Sequence, residues 1–444
     1  MEMLGKAMAV LARGFADLPA APEPAFDRDA MEAVLLEAAQ RLQDNFPYFH
    51  PLYAGQMLKP PHPVARLAYA LAMTVNPNNH ALDGGRASSA MEKEAVATLA
   101  GMIGWDNHLG HLTGGGTMAN LEALWVAGRL HPGRRVLAST QAHYTHARLS
   151  EVLGLPFTAV PADRRGRLDL DALDRELARG DVGTVVATIG TTATGAVDPL
   201  PGILERRARH GFRVHADAAY GGYFRLLAGE PADGLGSDAR AAFQRLGEAD
   251  SLVVDPHKHG LQPYGCGCIL FRDPSVGRFY RHDSPYTYFS SSALHLGEIS
   301  LECSRPGAAA VALWATQRLL PPVPGGAFAR DLARGREAAL GLYERLRADR
   351  AFLTAFPPEL DIVVWAMRAP SVTAASARAR AVFEEAGRRG LHLALAGLPV
   401  SFFDLEGAGM ATDAGTITCL RSVLMKPEHL AWLDRLWDLL RTSL

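Results

Sequence analysis

The sequence predicts an α/β protein, with a large domain built on a mainly parallel sheet under covering helices and a small C-terminal α+β domain after it. Three observations support this. Between about residues 61 and 315, helical segments alternate with short buried strand-like runs, as in Thr184–Ile189, then helical Leu200–His210, then Phe212–Ala216. Apolar strands that alternate with helices are the pattern of a parallel sheet covered on both faces. A stretch dense in proline and glycine, LLPPVPGGAF from Leu319, breaks that rhythm. Beyond it lie a helical segment at Arg330–Arg347, a strand-like run at Leu360–Met367 and a closing helix at Pro427–Leu440, which suit a small α+β domain. The expected organisation is an N-terminal arm at 1–60, a large domain at 61–320 and a small domain at 321–444.

The arm pairs a helical stretch, Arg28–Leu42, with the aromatic and proline-rich NFPYFHPLYAGQMLKPPHP, which is too irregular for a core helix. Across 444 residues, 48% hydrophobic and 21% charged residues are ordinary for a soluble globular protein. With 45 basic and 47 acidic residues the formal charge is −2, so no global field draws the chain onto nucleic acid or anionic lipid, and the expected partner is a small molecule. Cys266, Cys268, Cys303 and Cys419 are too few for a disulfide framework and lack the paired spacing of a zinc site, so no metal is expected and a reducing cytoplasm fits best. No apolar run reaches membrane-spanning length, and the first residues lack a basic segment followed by a long apolar one.

Only five of the 45 basic residues are lysines: Lys6, Lys59, Lys93, Lys258 and Lys426. Arginine replaces lysine in surface ion pairs, but its guanidinium stays protonated and cannot act as an amine nucleophile. Each retained lysine therefore merits inspection. Lys258 lies in Asp255-Pro256-His257-Lys258-His259-Gly260, directly after the apolar run Ser251–Val254. Burial and two flanking imidazoles are expected to lower its pKa and free the amine.

Four further motifs fall at the carboxyl ends of predicted strands, where parallel sheets place their ligands. TGGGTMAN, Thr113–Asn120, is a glycine-rich turn opening a helix. Gly114, Gly115 and Gly116 let backbone N–H groups approach an anion, and Thr117 adds a hydroxyl. In HADAAYGG, His215–Gly222, Asp217 suits an ion pair with a pyridinium nitrogen, and small Ala218 and Ala219 leave room for a flat ring. His143 follows the strand Arg135–Ser139 and could stack on such a ring; Thr192 follows Thr184–Ile189 and could bond its substituents. Taken singly, these read equally as a tight turn, a turn-capping carboxylate and a structural histidine. Five in succession at strand ends do not.

Together TGGGTMAN, QAH, ATIGTTATGAVDPL, HADAAYGG and DPHKHG resemble the group II pyridoxal-phosphate-dependent amino acid decarboxylases, in order and spacing, over about residues 45–320. The resemblance implies fold type I, the aspartate aminotransferase-like architecture with a seven-stranded, mainly parallel sheet, and a homodimer with interfacial active sites. It implies pyridoxal 5'-phosphate as a Schiff base on Lys258, with Asp217 at the ring nitrogen and His143 stacked on the ring. Gly115, Gly116, Thr117 and His257 match the phosphate side; Thr192 and Ala219 match positions around the ring. HPLYAGQM, His50–Met57, resembles a pocket-lining segment, with Tyr53 and Gln56 as substrate candidates. Arg421, in the strand-like ITCLRSVLM, meets either a substrate carboxylate or a buried structural ion pair.

The implied reaction converts an L-amino acid to its amine and carbon dioxide through an external aldimine and a quinonoid. The segment after Lys258 lacks room for the long mobile loop of the animal aromatic decarboxylases, which leaves Tyr286 and Tyr288 as the nearby proton-donor candidates. CSRPGAAAVALWAT, Cys303–Thr316, resembles the microbial glutamate and tyrosine decarboxylase branch and the lyases. Carbon–carbon or carbon–sulfur lysis and decarboxylation-dependent oxidative deamination are therefore the alternatives, with a non-catalytic cofactor-binding homologue behind them. Asp255 replaces the usual Asn or Ser two residues before His257, and a carboxylate there needs a compensating partner near a phosphate.

Overall fold

The computed structural model of the chain describes residues 2–19, 22, 25–80, 82–229, 234–280 and 299–444. Among them, seven strands form the large sheet: β1 (Leu109–Thr113), β2 (Arg135–Ser139), β3 (Phe157–Val160), β4 (Val182–Thr188), β5 (Arg213–Asp217), β6 (Ser251–Val254) and β7 (Gly267–Phe271). Their order is β1-β7-β6-β5-β4-β2-β3. Strands β6, β5, β4, β2 and β3 run parallel; β7 runs against both β6 and β1. The carboxyl ends of every strand except β7 therefore emerge at one edge.

Four more strands, β8 (Phe352–Thr354), β9 (Ile362–Met367), β10 (Ala394–Pro399) and β11 (Thr416–Val423), form an antiparallel sheet in the order β10-β11-β9-β8. Helices Ala327–Ala348 and Val372–Arg388 pack on it. This sheet is more open to solvent: β10 is only partly buried, whereas every residue of β2, β4, β6 and β7 is buried. Helices on both faces of the large sheet account for its continuous apolar runs.

The strands Arg135–Ser139 and Ser251–Val254 and the helices Arg28–Leu42 and Leu200–His210 take their expected bounds. The closing helix does not. It is a single 3-10 turn at Pro427–His429 followed by a separate helix, Leu433–Arg441. The His429 ring accepts the Lys426 backbone N–H (3.2 Å), capping that turn so that it stands apart from the apolar Leu433–Arg441 face. No helix among the described residues is long and apolar enough to cross a membrane.

The helices Glu2–Arg13 and Arg28–Leu42 bury no residue. The segment after them does pack: Tyr53 bridges to His392 beside the small sheet, and Ala54 joins the apolar cluster around Trp365.

Candidate active site

A cavity of about 500 Å3 lies over the carboxyl ends of β1, β2, β4, β5 and β6. Gly114, Gly115, Gly116, Thr117, His143, Thr192, Asp217, Ala219, His257 and Lys258 all line it, so residues spread over 145 positions meet at one site. Tyr286 and Tyr288 lie outside the described residues.

At one end, the helix Gly116–Leu130 begins directly after Gly115, whose φ of 146° only glycine adopts readily. Gly116 sits so close to Asp255 that a Cβ there would lie 2.6 Å from Oδ2. The open first turn and its dipole suit an anion. Glu302 takes one of the nearby donors, since Gly114 N–H donates to its Oε2 (3.0 Å).

Lys258 and its histidines depart from expectation. The amine's ionic partner is a carboxylate: Lys258 Nζ lies 3.0 Å from Asp255 Oδ2, with His257 Nε2 at 3.6 Å from the same oxygen. His259 turns into the core, 3.4 Å from Asp361 Oδ2 and edge-on to Tyr220 and Phe224. Adjacent sequence positions in the turn after β6 thus face different environments. Asp255 has one compensating cation, Lys258, beside a His257 ring whose pKa burial pulls down, while its Oδ1 is buried with no hydrogen-bond partner among the described residues.

Asp217 ends β5 and is buried. Its Oδ2 accepts from His146 Nε2 (2.8 Å) and Asn120 Nδ2 (3.5 Å), and its Oδ1 from Ala219 N–H (3.2 Å). Burial pushes this carboxyl up. The His146 hydrogen bond, helped by the charge of Lys258, outweighs it and holds the group well below the usual carboxylate range. His143 is half-buried, and burial pulls its pKa down, so the ring is neutral at pH 7. Its Nδ1 is engaged by Thr145, through both the hydroxyl and the backbone N–H.

The three substrate candidates cluster but do not line the cavity. Arg421 Nη1 donates to Gln56 Oε1 (3.2 Å) and Gly55 O (3.1 Å), Nη2 to Thr192 O (2.7 Å) and Nε to Ala193 O (3.0 Å). Carbonyls, rather than an ion-paired carboxylate, hold the buried guanidinium. The Tyr53 carbonyl accepts from Lys426 Nζ (2.6 Å).

These residues fit pyridoxal phosphate. An aldehyde, a ring nitrogen and a phosphate need an amine, a carboxylate and an anion cradle, and Lys258, Asp217 and the Gly115–Thr117 turn present all three to one cavity. The sheet order, the strand-end cavity and the small antiparallel domain define a fold-type-I pyridoxal phosphate enzyme. The chain belongs to the pyridoxal-dependent decarboxylase family, whose conserved-domain description matches residues 28–368. Pyridoxal phosphate is its cofactor, and the relatives bear the names of carboxy-lyases.

An L-tyrosine decarboxylase of Enterococcus faecium is 29% identical over 68% of this chain and 65% of its own length. A probable L-tyrosine/L-aspartate decarboxylase of Methanothermobacter thermautotrophicus is 28% identical over 70% of this chain and 82% of its own. The match thus spans just under two thirds of the first relative and more of the second. Among solved structures, mouse CSAD superposes with a TM-score of 0.79 at 22% identity, covering 100% of this chain and 91% of that one. Oryza sativa TDC with PLP and tryptamine gives 0.78 at 19%, covering 97% and 90%.

Sequence reasoning missed Asn120, His146 and Glu302. His146 lies in the first turn of the helix Thr145–Val152, whose buried face also carries Leu149 and Ser150.

Proposed function

We propose that this chain is an L-amino acid decarboxylase that releases carbon dioxide and the matching amine, with pyridoxal phosphate held covalently through Lys258 Nζ. The observation that carries this reading is the placement of an ionised Asp217 at the end of β5 and of Lys258 in the turn after the adjacent parallel strand β6, both in one cavity. The family and the relatives' names support the reaction type.

Bound there, the cofactor supplies an electron sink for the pair released when the bond from Cα to the carboxylate breaks. Asp217 holds a proton on the ring nitrogen, which keeps that sink strong. The Gly115–Thr117 turn and His257 fix the phosphate end, His143 forms a neutral wall for the ring, and Thr192 and Ala219 set its edges. Lys258 Nζ would hold the cofactor's aldehyde carbon and could carry a proton near Cα, with Asp255 Oδ2 as its ion partner. Arg421 acts through the carbonyls of Thr192 and Ala193 and through Gln56, positioning the rim from behind.

A second copy of the chain is the proposed partner. Met3, Val10, Phe15, Met31, Leu35 and Leu36 are more than half exposed on or beside helices that bury nothing in one protomer, and a homodimer would cover them. Sedimentation at micromolar concentration should give twice the mass of one chain.

The decisive experiment incubates the cofactor-loaded protein with a panel of L-amino acids that includes tyrosine and aspartate. Carbon dioxide and the matching amine are expected in equal amounts. Aldehyde and ammonia would replace this reading with oxidative deamination, and a loaded protein inert to the panel would remove it.

A further inference from the structure

Of the groups that hold Asp217, His146 lies in none of the sequence motifs, and Asn120 closes TGGGTMAN without a role read for it there. Its Oδ2 faces two donors from two helices, His146 Nε2 at 2.8 Å and Asn120 Nδ2 at 3.5 Å, while Oδ1 meets only the Ala219 N–H. One oxygen is filled from behind and the other keeps acceptor capacity on a residue that lines the cavity.

The orientation of Asn120 is fixed in turn. Its Oδ1 accepts from His215 Nε2 (2.8 Å), and His215 Nδ1 accepts from the Ser251 hydroxyl (2.9 Å). Burial pulls the His215 pKa down to about 3, so that ring is neutral at pH 7, and this is the tautomer that satisfies both of its nitrogens. Reversing Asn120 would set its carbonyl against the Asp217 carboxylate.

His146 differs from His215. It is fully buried, yet its Nδ1 finds no partner among the described residues. A histidine kept only for packing would lose stability through that orphaned nitrogen, and a leucine would fill much the same space without it. The ring's one polar contact by side chain is the bond to Asp217.

We propose that His146 is a positioning residue for the reaction: through Nε2–H it locks the Asp217 carboxylate, so that Oδ1 accepts the cofactor's ring N–H and the proton stays on the ring. The inference rests on the reading of Asp217 as the ring-nitrogen partner. Without this donor, burial favours the neutral carboxyl. The shared proton then moves from the ring to Asp217 and the electron sink weakens.

The test is the 15N resonance of cofactor labelled at its ring nitrogen, measured in the loaded enzyme with kcat and KM alongside. A glutamine amide reaches the Nε2 position of histidine, whereas an asparagine amide lies near Nδ1. His146→Gln should therefore keep the protonated-ring resonance. His146→Asn and His146→Leu should shift toward unprotonated pyridine, lowering kcat about ten-fold or more at little change in KM, the scale of losing one hydrogen bond to a charged group. A wild-type resonance in His146→Leu, or equal resonances in the Gln and Asn variants, overturns the proposal. Asp217→Asn separates the two levels. If it loses ring protonation while His146→Leu keeps it, only the role of His146 fails; if it too keeps ring protonation, the reading of Asp217 fails.

Discussion

The two sheets divide the work unequally. Every described residue that lines the cavity precedes β8, and most of them sit at or just beyond the carboxyl ends of the large sheet's parallel strands. The antiparallel sheet supplies no lining, but its strand β11 and the turn after it carry two buried basic side chains, Arg421 and Lys426, whose hydrogen bonds run mainly to backbone carbonyls. Parallel strands concentrate their ends, so they can gather reactive groups from distant sequence. Antiparallel strands alternate their ends. Here the smaller sheet clamps the Tyr53–Gln56 segment and the Thr192 rim against each other. Chemistry belongs to the first region and placement to the second.

Five experiments would break or sharpen that division. The largest effect is expected from Lys258→Ala, which should abolish turnover and the borohydride-fixed label, whereas Lys426→Ala should retain both. Peptide mapping after reduction reads this directly, and label on any other lysine would overturn the assignment. Asp217→Ala should lower kcat by roughly 10^3-fold, the scale of losing a preorganised electrostatic partner. A deficit under ten-fold in steady-state kinetics would shift the chemistry elsewhere.

A smaller effect is expected from Gly116→Val. The added Cβ would press on Asp255 Oδ2, so cofactor affinity, titrated by absorbance, should fall about ten-fold, a loss of roughly 1.4 kcal/mol. On the other side of the comparison, Arg421→Met leaves the carbonyls of Gly55, Thr192 and Ala193 without donors and should cost about 2–4 kcal/mol in denaturant unfolding. If stability held while KM rose, Arg421 would belong to the chemical region instead.

The mildest test is pH. Burial pulls the Lys426 pKa down to about 7 from 10.5, so between these values the unfolded chain binds more protons than the folded one. The lysine's contribution therefore rises as pH climbs from 7 to 10.5 and is lost below 7. The stability of wild type relative to Lys426→Met should improve across pH 7–10 in thermal melts. A constant difference would mean that the ammonium is better solvated than its burial implies.

The sequence made the first region far more legible than the second. Strands β2 and β6 show as apolar runs because both sheet faces are covered, and the motifs after them stand out because glycine, aspartate and lysine interrupt hydrophobic sequence. Contacts that depend on strand order were hidden. Nothing in the sequence places Asn120 beside Asp217, 97 positions away, or turns His259 from Lys258 toward Asp361. Arg421 admitted two readings because an isolated arginine in a strand does not reveal whether its partner is a carboxylate or a row of carbonyls. Pro427–Leu440 read as one helix because its apolar spacing continues through the capped turn.

The scarcity of lysine has a practical consequence beyond catalysis. Lys59, Lys258 and Lys426 are drawn wholly or partly inside, leaving Lys6 and Lys93 as the exposed lysine side chains. Aldehydes in the surrounding medium, free cofactor among them, condense with primary amines wherever they find them. This surface offers few to compete, so an excess of cofactor should load the protein close to one equivalent per chain, with little spectral background from stray adducts. Amine-directed dyes and cross-linkers should in turn attach mainly at Lys6 on the first helix and Lys93 on the helix Leu82–Ile103, far along the chain from the reacting lysine.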